Sequence, residues 1–326
     1  MRTLNVGVLG VGHLGQHHAR LYADLPDTRL VGVFDIDRQR AELIAARHAC
    51  RRFEELEACI AAVDAVSIAV PTTFHHAVAK ACLEQGRHVL VEKPIAASVP
   101  EARELVALAQ SRGCVLQIGH SERFNPIFLA VQSRIGQPGF IESHRLGPFS
   151  ERGTDVDVVL DLMIHDLDLA LSMTKSPVEE IRAAGVAVLS PYVDIANARL
   201  QFANGCVANL TASRVSATKL RRCRVFQREG YLSIDFQARH AVIASRTAAK
   251  GDRPRVDMEQ VKGSDEEPLK LQLQAFVQSI LRREPPVVSG EAGTAALELA
   301  YQIRDSIAAY WRRLGDVRPV SPDGSA

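Results

Sequence analysis

The first 120 residues alternate short, largely apolar runs with longer stretches in which apolar residues recur at helical spacing. Runs that are apolar on both faces are typical of parallel strands buried in the middle of a sheet. The predicted strands are Leu4–Leu9, Leu30–Phe34, Ala65–Val70, His88–Val91 and Cys114–Ile118. The predicted helices are Leu14–Leu25, Arg38–His48, Glu54–Ala61, Phe74–Gln85 and Pro100–Ser111. Because crossovers between parallel strands are right-handed, this order predicts a doubly wound α/β domain over residues 1–120.

The pattern changes after Ile118, where strand signals follow one another without helices between them. The predicted elements are helices at Pro126–Ile135 and Val158–Met173, a strand at Phe140–Leu146, a polar loop through Asp157, and mostly strand from Val178 to Ser245. Asn204-Gly205 is a strong hairpin turn between two strand-like runs. Residues 121–326 are therefore predicted to form a second α/β domain built on a largely antiparallel sheet.

The end of the chain returns to helical spacing. Residues 250–267 are charged and are predicted to be a loop. Two helices follow, at Pro268–Arg283 and Gly293–Leu314, and we expect the segment 268–314 to pack back towards the first domain. The last residues, Pro319–Ala326, are expected to fray.

A glycine-rich segment, Gly10-Val11-Gly12-His13-Leu14-Gly15, joins the first predicted strand to the first predicted helix. In this context Gly10 allows a tight turn, Gly12 lets the backbone approach a pyrophosphate, and Gly15 lets helix and strand pack closely. Asp35 follows Gly15 by 20 residues, at the end of the second predicted strand, where a carboxylate accepts hydrogen bonds from the adenosine ribose. Such a carboxylate repels a 2′-phosphate, so NAD is the expected cofactor. Arg38 leaves NADP open, and the alternative to the whole motif is a glycine-rich turn without a ligand.

Composition narrows the class of protein. The chain has 326 residues, enough for two domains, and its 39 basic and 38 acidic residues give a net charge of +1. That balance predicts neither a nucleic-acid nor a membrane partner, and the basic run Lys219–Arg224 fits an exposed strand face. The absence of a long apolar segment and of an apolar leader predicts a cytoplasmic protein. Six scattered cysteines without a C-x-x-C pair favour free thiols over a disulfide framework or a metal site.

Glu92-Lys93-Pro94 stands at the carboxyl end of the fourth predicted strand, the edge where the nicotinamide of a bound dinucleotide is expected. A desolvated lysine there has a lowered pKa and can relay a proton near neutral pH. Pro94 holds Lys93 in an extended conformation, and the peptide bond between them is either cis or trans. The alternative is an ordinary solvated strand end.

Asp161 and His165 are four residues apart on a predicted helix, and therefore share a face. A carboxylate beside an imidazole holds a general base in one tautomer. The alternative is an ordinary pair on a helix surface. Metal binding is not expected, because a second histidine at helical spacing and a third ligand are missing.

These motifs, in this order, resemble the superfamily of glucose-fructose oxidoreductase, inositol dehydrogenase and rhizopine-catabolism proteins, which are NAD(P)-dependent sugar oxidoreductases. The residues that carry the resemblance are Gly10–Gly15, Val70-Pro71-Thr72 with His75, Ala81–Gly86 leading into Glu92-Lys93-Pro94, Asp161 to His165, and Val288–Gly293. The resemblance implies a Rossmann domain followed by an α/β domain with an open sheet that commonly forms the oligomer interface. A homo-oligomer, dimer or tetramer, is therefore expected.

The same resemblance implies roles for single residues. The implied catalytic residues are Lys93, Asp161 and His165. The implied cofactor-binding residues are Gly10, Gly12, His13, Leu14, Gly15, Asp35, Val70, Pro71, Thr72, His75, Glu92 and Lys93. His165 would take the proton from a sugar hydroxyl while Lys93 stabilises the developing alkoxide, with Asp161 orienting the cationic partner. The roles of His165 and Lys93 could be exchanged.

Within the family the chain is similar to the branch that acts on nucleotide sugars. The segments that indicate this are Gly119–Pro126, Arg145–Ser150 and Arg152–Asp166. Many relatives carry glycine in place of Met163 and a Gly-Gly pair before the helix, and this chain departs from both. The implied reaction is oxidation of the 3-hydroxyl of UDP-N-acetylglucosamine by NAD⁺, with a PLP-dependent aminotransferase of lipid A synthesis as the next enzyme. The implied substrate residues are Lys93, Glu122, Arg123, Asn125, Arg152, Asp161 and His165.

Several alternatives stay open at this point. Asn125-Pro126 is a common way to begin a helix, with Arg123 pairing with Glu122. His75 and His120 are as well explained as satisfied histidines at element ends, and His17-His18 is expected on a helix surface. The substrate could be UDP-N-acetylglucosaminuronate, inositol or a free aldose. A dinucleotide-binding sensor without turnover is the alternative outside enzymes.

Overall fold

The computed structural model describes residues 3–150, 156–247 and 255–313. The chain divides into two compact units, each considered by itself below. The first comprises Met1–Phe124 and Glu266–Ala295, and the second comprises Asn125–Asp265 and Ala296–Ala326. The predicted fraying of Pro319–Ala326 and the predicted substrate residue Arg152 lie outside the described residues.

A six-stranded parallel sheet forms the middle of the first unit. Its strands are β1 (Leu4–Leu9), β2 (Thr28–Phe34), β3 (Arg51–Arg52), β4 (Ala65–Ile68), β5 (His88–Glu92) and β6 (Leu116–Gly119), in the spatial order β3-β2-β1-β4-β5-β6. Each pairing in this sheet is parallel. The order reverses between β1 and β4, and this is the switch point beyond whose carboxyl ends a ligand binds in such sheets. The predicted doubly wound fold is confirmed, and only the two-residue β3, which lacks an apolar signal, was not predicted.

Helices cover the sheet at the predicted places. They are α1 (Gly15–Asp24), α2 (Arg38–Arg47), α3 (Leu56–Ala61), α4 (His75–Glu84), α5 (Val99–Arg112) and α8 (Pro268–Arg282). Short 3₁₀ turns at Thr72–Phe74 and Ser121–Phe124 follow β4 and β6. From α8, Leu273, Phe276 and Val277 are buried in the same apolar core as β1 and α1. The helix after residue 266 thus completes the core of the first unit.

An eight-stranded sheet forms the second unit. Its strands are β7 (Pro138–Leu146), β8 (Val178–Val186), β9 (Ile195–Phe202), β10 (Val207–Ser213), β11 (Leu220–Gln227), β12 (Gly230–Asp235), β13 (His240–Thr247) and β14 (Arg255–Lys262). The spatial order is β14-β13-β12-β11-β7-β10-β9-β8. Only β7 and β10 are parallel, so the sheet is largely antiparallel, as predicted. Gly205, with φ +84°, lies in the predicted hairpin turn between β9 and β10.

One segment of this sheet contradicts the sequence prediction. The loop predicted over residues 250–267 is wrong, because Arg255–Lys262 is strand β14. It pairs with β13 alone, at the edge of the sheet, and its residues Val256–Gln260 are exposed. An edge strand that faces water on both sides carries charged side chains and has no alternation of apolar and polar residues. Its composition therefore resembles that of a loop.

The helices of the second unit are α6 (Pro126–Val131), α7 (Ile164–Thr174) and the later part of α9 (Gly290–Arg313). The prediction of one regular helix over Val158–Met173 is wrong at its start, because Val159–Met163 is a π-helical turn that leads into α7. Its first residues are held from outside the helix: the Val158 N–H donates to the Val193 carbonyl at 2.9 Å. Such π-turns are rare overall, and many of those that occur lie at functional sites.

Within the described ranges, no helix combines the length and the apolar character that crossing a membrane requires. All six cysteines carry free thiols, and Cys59, Cys82 and Cys223 are buried.

Candidate active site

The glycine-rich loop lies between β1 and α1, and two of its glycines are required by close packing. Gly10 has φ +82°, and a Cβ there would lie 2.8 Å from the Ala69 carbonyl oxygen. A Cβ on Gly15 would lie 1.8 Å from the Gly10 carbonyl oxygen. Any side chain at either position would push β1, β4 and α1 apart. Gly12 is open by comparison. A Cβ there would have the Arg40 guanidinium as its nearest neighbour, 3.9 Å away, and the backbone of Gly12 is therefore accessible to a ligand.

Asp35 follows β2 and is held facing this loop by backbone donors. Its Oδ2 accepts from the Val11 N–H at 2.8 Å, and its Oδ1 accepts from the Asp37 N–H at 2.9 Å. The side chain is only 6% exposed, and these two hydrogen bonds fix the orientation of its carboxylate. The structure therefore places Asp35 beside the loop, where the predicted contact with the adenosine ribose requires it. The contact itself stays a prediction.

His75, at the start of α4, connects the loops that follow β4 and β5. Its Nδ1 lies 2.7 Å from the Pro94 carbonyl oxygen and its Nε2 lies 2.9 Å from the Val70 carbonyl oxygen. The ring is buried, and burial lowers its pKa, so the neutral imidazole donates to one of these carbonyls. His75 thereby holds the backbone on which Lys93 stands, and the Lys93–Pro94 peptide bond is cis.

Glu92 ends β5 with its carboxylate turned into the unit. A Cβ on Gly119 would lie 2.8 Å from both of its oxygens, so the neighbouring strand needs glycine there. The carboxylate lies 3.2 Å from His18 Nε2, and the side chain of His18 is fully buried. The prediction of His17-His18 on a helix surface is thus wrong for His18, which faces the sheet. This neighbour of Glu92 is one that the sequence motif did not specify.

His120 lies just after β6, and it is buried with Lys93 and Arg123 near enough to act on it. Burial, with the positive charges of Lys93 and Arg123 adding to it, lowers the pKa of His120 to about 3. The ring is consequently neutral at physiological pH. Lys93 and Arg123, two cations that the sequence predicted as site residues, would both repel a charged imidazole there.

The segment after His120 carries three of the predicted substrate residues. Glu122 is buried and Arg123 is half-buried, both in the 3₁₀ turn. Asn125 caps α6, because its Oδ1 accepts from the Ile127 N–H and its amide donates to the Phe236 carbonyl. The helix-start interpretation of Asn125-Pro126 is confirmed. A substrate contact of any of these three residues stays a prediction.

In the second unit, Asp161 lies in the π-turn and His165 lies in the first turn of α7; both are half-buried. Asp157 begins the π-turn: its Oδ1 accepts from the N–H groups of Val159 and Leu160 at 2.9 and 3.1 Å. Its Oδ2 lies 2.7 Å from the guanidinium of Arg304 on α9. The turn that presents Asp161 and His165 is therefore capped and anchored by Asp157.

A buried ion pair fixes the next residue of α7. The Arg145 guanidinium on β7 donates to both carboxylate oxygens of Asp166, at 2.6 and 3.3 Å, and Ser143 donates to the same carboxylate at 2.8 Å. Both charged side chains are 5% exposed. Because Asp166 follows His165 directly, this pair sets the rotation of the helix that carries the predicted base.

Comparison with known proteins identifies the family. The model of the oxidoreductase family with an NAD-binding Rossmann fold matches residues 4–120, and the model of the GFO/IDH/MocA C-terminal domain matches residues 129–233. The chain belongs to the GFO/IDH/MocA oxidoreductase family. Its first unit is the NAD-binding domain, and NAD is the cofactor.

Individual relatives cover nearly the whole chain. The chain is 40% identical over 315 residues to a UDP-N-acetylglucosamine 3-dehydrogenase of Acidithiobacillus ferrooxidans, covering 96% of this chain and 100% of that protein. A solved structure of that enzyme superposes with a TM-score of 0.91 over the same shares of the two chains. A scyllo-inositol 2-dehydrogenase (NAD(+)) of Bacillus subtilis is 27% identical over 320 residues, 92% of each chain.

Proposed function

We propose that this protein oxidises the 3-hydroxyl of UDP-N-acetylglucosamine with NAD⁺, giving the 3-keto nucleotide sugar, NADH and a proton. The observation that carries the proposal is 40% identity to an enzyme of that name over its full length. The inositol dehydrogenase match has lower identity, and this favours the nucleotide sugar over a free polyol. The 3-keto product is the substrate class of a PLP-dependent 3-aminotransferase, here the next enzyme towards lipid A.

The proposed catalytic residues are Lys93, Asp161 and His165. NAD, when bound, supplies the acceptor for the hydride that leaves C3. His165 takes the proton of the 3-hydroxyl, Lys93 stabilises the developing negative charge on that oxygen, and Asp161 orients the cationic partner. Support comes from how two of these residues are positioned. Lys93 directly precedes Pro94, whose carbonyl oxygen contacts His75, and His165 lies in the first turn of α7 beside Asp166, which Arg145 binds.

The remaining proposed substrate contacts are those of Glu122, Arg123, Asn125 and Arg152. Arg123 and Arg152 supply guanidinium groups, which bind diphosphates bidentately. The proposed cofactor contacts are those of the glycine-rich loop, Asp35, Val70–Thr72, His75 and Glu92. For His75 the contact is through the backbone it holds, because both ring nitrogens face carbonyl oxygens.

The decisive test is the formation of NADH from NAD⁺ and UDP-N-acetylglucosamine. Glutamate and a PLP-dependent 3-aminotransferase are included to draw off the ketone, since oxidation of a hydroxyl by NAD⁺ is uphill by itself. Turnover on this sugar and little on inositol supports the proposal. Turnover only on UDP-N-acetylglucosaminuronate, inositol or a free aldose would show that this other sugar, and not UDP-N-acetylglucosamine, is the substrate. NADH binding without turnover on any sugar moves the protein to the sensor class.

We also propose a homo-oligomer, on the support of the outer face of the eight-stranded sheet. Side chains that are neighbours in register form an apolar row across six adjacent strands: Val207, Phe140, Phe226, Tyr231, Ala244 and Met258. The ring centroids of Phe226 and Tyr231 are 4.9 Å apart, and Met258 is 67% exposed. Phe226 and Met258 are exposed and the other four are partly exposed, and a contiguous apolar surface of this kind is typical of one that a partner covers.

Light scattering of the purified protein tests the oligomer. A dimer or tetramer is expected, and Phe226→Lys is expected to lower the mass. Phe74→Lys, which places the same charge at an exposed position of the first unit, is the control and leaves the mass unchanged. A monomeric wild type would remove the proposal.

We further propose a cytoplasmic location without a nucleic-acid or membrane partner. The free thiols suit a reducing compartment, and the net charge of +1 provides no field that would collect a polyanion. Cell fractionation followed by immunoblotting tests the location, and recovery in the membrane pellet would contradict it.

A further inference from the structure

The basic run of β11 is divided between the two faces of the eight-stranded sheet. Arg222 is exposed on the outer face, where its guanidinium is 3.5 Å from the Asp235 carboxylate. Cys223 and Val225 are buried in the apolar core of the second unit. Because successive side chains of a strand point to opposite faces, Arg221 shares the face of Cys223 and Val225, which we call the inner face. Arg221 is half-buried there.

On the inner face, Arg221 lies beside the strand that anchors α7. In the pairing of β11 with β7, it is directly opposite Arg145, whose guanidinium donates to both oxygens of Asp166. Residues that are directly opposite in antiparallel strands have Cβ atoms about 4.5–5.5 Å apart. Burial raises the pKa of the Cys223 thiol and the charge of Asp166 adds to this, so β11 passes close to α7. Arg221 is therefore a near neighbour of the helix turn that carries His165.

The direction of α7 puts Arg221 at the same end of the sheet as the predicted catalytic residues. At the far end of α7, the Thr174 carbonyl accepts from the Asn204 side chain, in the hairpin before β10, at 3.1 Å. Strand β10 runs away from this hairpin parallel to β7, and both strands end where β11 begins. The start of α7, with His165 and the preceding Asp161, therefore lies towards the end of the sheet where Arg221 stands.

A further predicted substrate residue is joined to Arg221 through the backbone. The Phe236 N–H donates to the Arg221 carbonyl at 2.9 Å, and the Phe236 carbonyl accepts from the Asn125 amide at 3.2 Å. The second unit thus brings a guanidinium to the end of the sheet that already holds the carboxylate of Asp161, the imidazole of His165 and the amide of Asn125.

We propose that Arg221 is a further substrate-binding residue, whose guanidinium binds the diphosphate of the nucleotide sugar and thereby favours it over a free sugar. The diphosphate is attached to C1 of the same ring whose C3 loses the hydride, so a cation near His165 is also near the diphosphate. A guanidinium binds phosphate oxygens through two parallel hydrogen bonds. The inference rests on the proposed function, because it takes a nucleotide sugar as the substrate.

Binding of substrate fragments tests this without turnover. Titration calorimetry is carried out on the full-length protein saturated with NADH, with UDP and with uridine as ligands. Arg221→Gln is expected to raise the Kd for UDP about tenfold, the loss of one hydrogen-bonded contact between charged groups. The Kd for uridine, which has no phosphate, should change by less than about twofold. The difference between the two ligands should narrow as salt is added.

Steady-state kinetics give a second measurement. With UDP-N-acetylglucosamine, Arg221→Gln is expected to raise KM about tenfold and to change kcat by less than about threefold, because the diphosphate is bound equally in the ground state and the transition state. A loss of stability alone would lower the amount of active enzyme and leave KM unchanged.

Arg222→Gln is the matched control, since it removes the same charge from the next residue of β11, on the other face of the sheet. It is expected to change the Kd for UDP by less than about twofold. Arg221→Lys keeps a positive charge but loses the paired hydrogen bonds, so its Kd for UDP should lie between those of wild type and Arg221→Gln. The lysine variant also carries the test if thermal unfolding shows that Arg221→Gln does not fold.

The inference is overturned if Arg221→Gln leaves the Kd for UDP unchanged, if it weakens uridine as much as UDP, or if Arg222→Gln has the same effect. A wild-type protein that binds NADH but neither UDP nor UDP-N-acetylglucosamine would contradict the proposed function itself, which is a different result.

Discussion

The two units hold their charged groups in different ways. In the first, ionisable side chains at the strand ends are held by the backbone: two N–H groups bind Asp35, and His75 lies between two carbonyls. In the second, buried carboxylates also have an arginine partner from elsewhere in the chain, as in Arg145–Asp166 and Arg214–Asp194, and Asp194 accepts from three backbone N–H groups as well. Backbone contacts follow from a local motif, whereas arginine partners depend on how the sheet is assembled.

The largest expected effect is on turnover and is common to both units. Lys93→Met and His165→Asn should each lower kcat by about 10²–10⁴-fold, because each removes a group that handles a proton or its charge in the transition state. Steady-state assays give kcat, and NADH titration gives Kd, which should change by less than about threefold. Lys80→Met, which removes an exposed lysine paired with Glu104, is the control. Equal losses in kcat and in NADH affinity would count against the catalytic role.

The next effect is on the stability of the second unit and compares a buried ion pair with an exposed one. Asp166→Ala removes the carboxylate that the buried Arg145 guanidinium contacts at 2.6 Å, so the free energy of unfolding should fall by about 3–5 kcal/mol. Urea denaturation followed by circular dichroism measures the loss. In the same sheet, Glu180→Ala removes the partner of the exposed Arg182 and should cost less than about 1 kcal/mol. Similar losses for the two variants would show that burial is not what gives the Arg145–Asp166 pair its importance.

A smaller effect is expected where the first unit depends on backbone packing. Gly15→Ala forces a Cβ against the Gly10 carbonyl, and the resulting shift of α1 should destabilise the protein by about 1–3 kcal/mol. NADH affinity should fall with it, because the same shift moves the loop that faces the pyrophosphate. Gly113→Ala is the comparison variant. Gly113 has a left-handed backbone conformation with open space around it, so an added Cβ there causes backbone strain but no steric clash. Unfolding curves and NADH titrations of both variants decide whether Gly15 is needed for packing.

The last expected effect is a pH dependence that His120 contributes in the first unit. The folded pKa of about 3 lies below the usual value of 6.5, so the unfolded chain binds the extra proton between these two pH values. Stability is full above pH 6.5 and falls by up to about 1.4 kcal/mol per pH unit as the pH drops towards 3. In His120→Gln this part of the slope should disappear between pH 6.5 and 5, where carboxylates contribute little. Unfolding free energies at three pH values measure it, and an unchanged slope would contradict the assignment.

Most of the first unit could be predicted because its signals are local. The strand before Gly10, the helix after Gly15 and Asp35 at the next strand end are all specified within 35 residues. The places where prediction failed had no such local signal. His18 is buried because α1 turns it towards Glu92.

In the second unit, strand alternation predicted the sheet, but composition misled at its edge and at the π-turn. Strand β14 is too exposed to alternate, and the turn at Val159–Met163 departs from regular helix where Asp157 is bound by Arg304. Asp157 directly precedes the apolar run Val158–Leu160, and an acid in that position is a signal of a helix cap that sequence reasoning could have used.

The sequence by itself determined the doubly wound domain, its glycine-rich loop, the sheet that follows it and the membership in an oxidoreductase family. These follow from residue spacing along the chain, since turn glycines, strand alternation and helix periodicity act over a few residues. Only the tertiary structure decided which charges meet: His18 with Glu92, Arg40 with Asp35, Arg145 with Asp166 and Asp157 with Arg304. Asp157 and Arg304 are 147 residues apart in the chain, and Arg20 and Glu267 are 247 apart. Coulomb interactions depend on distance in space and on burial, neither of which sequence spacing contains.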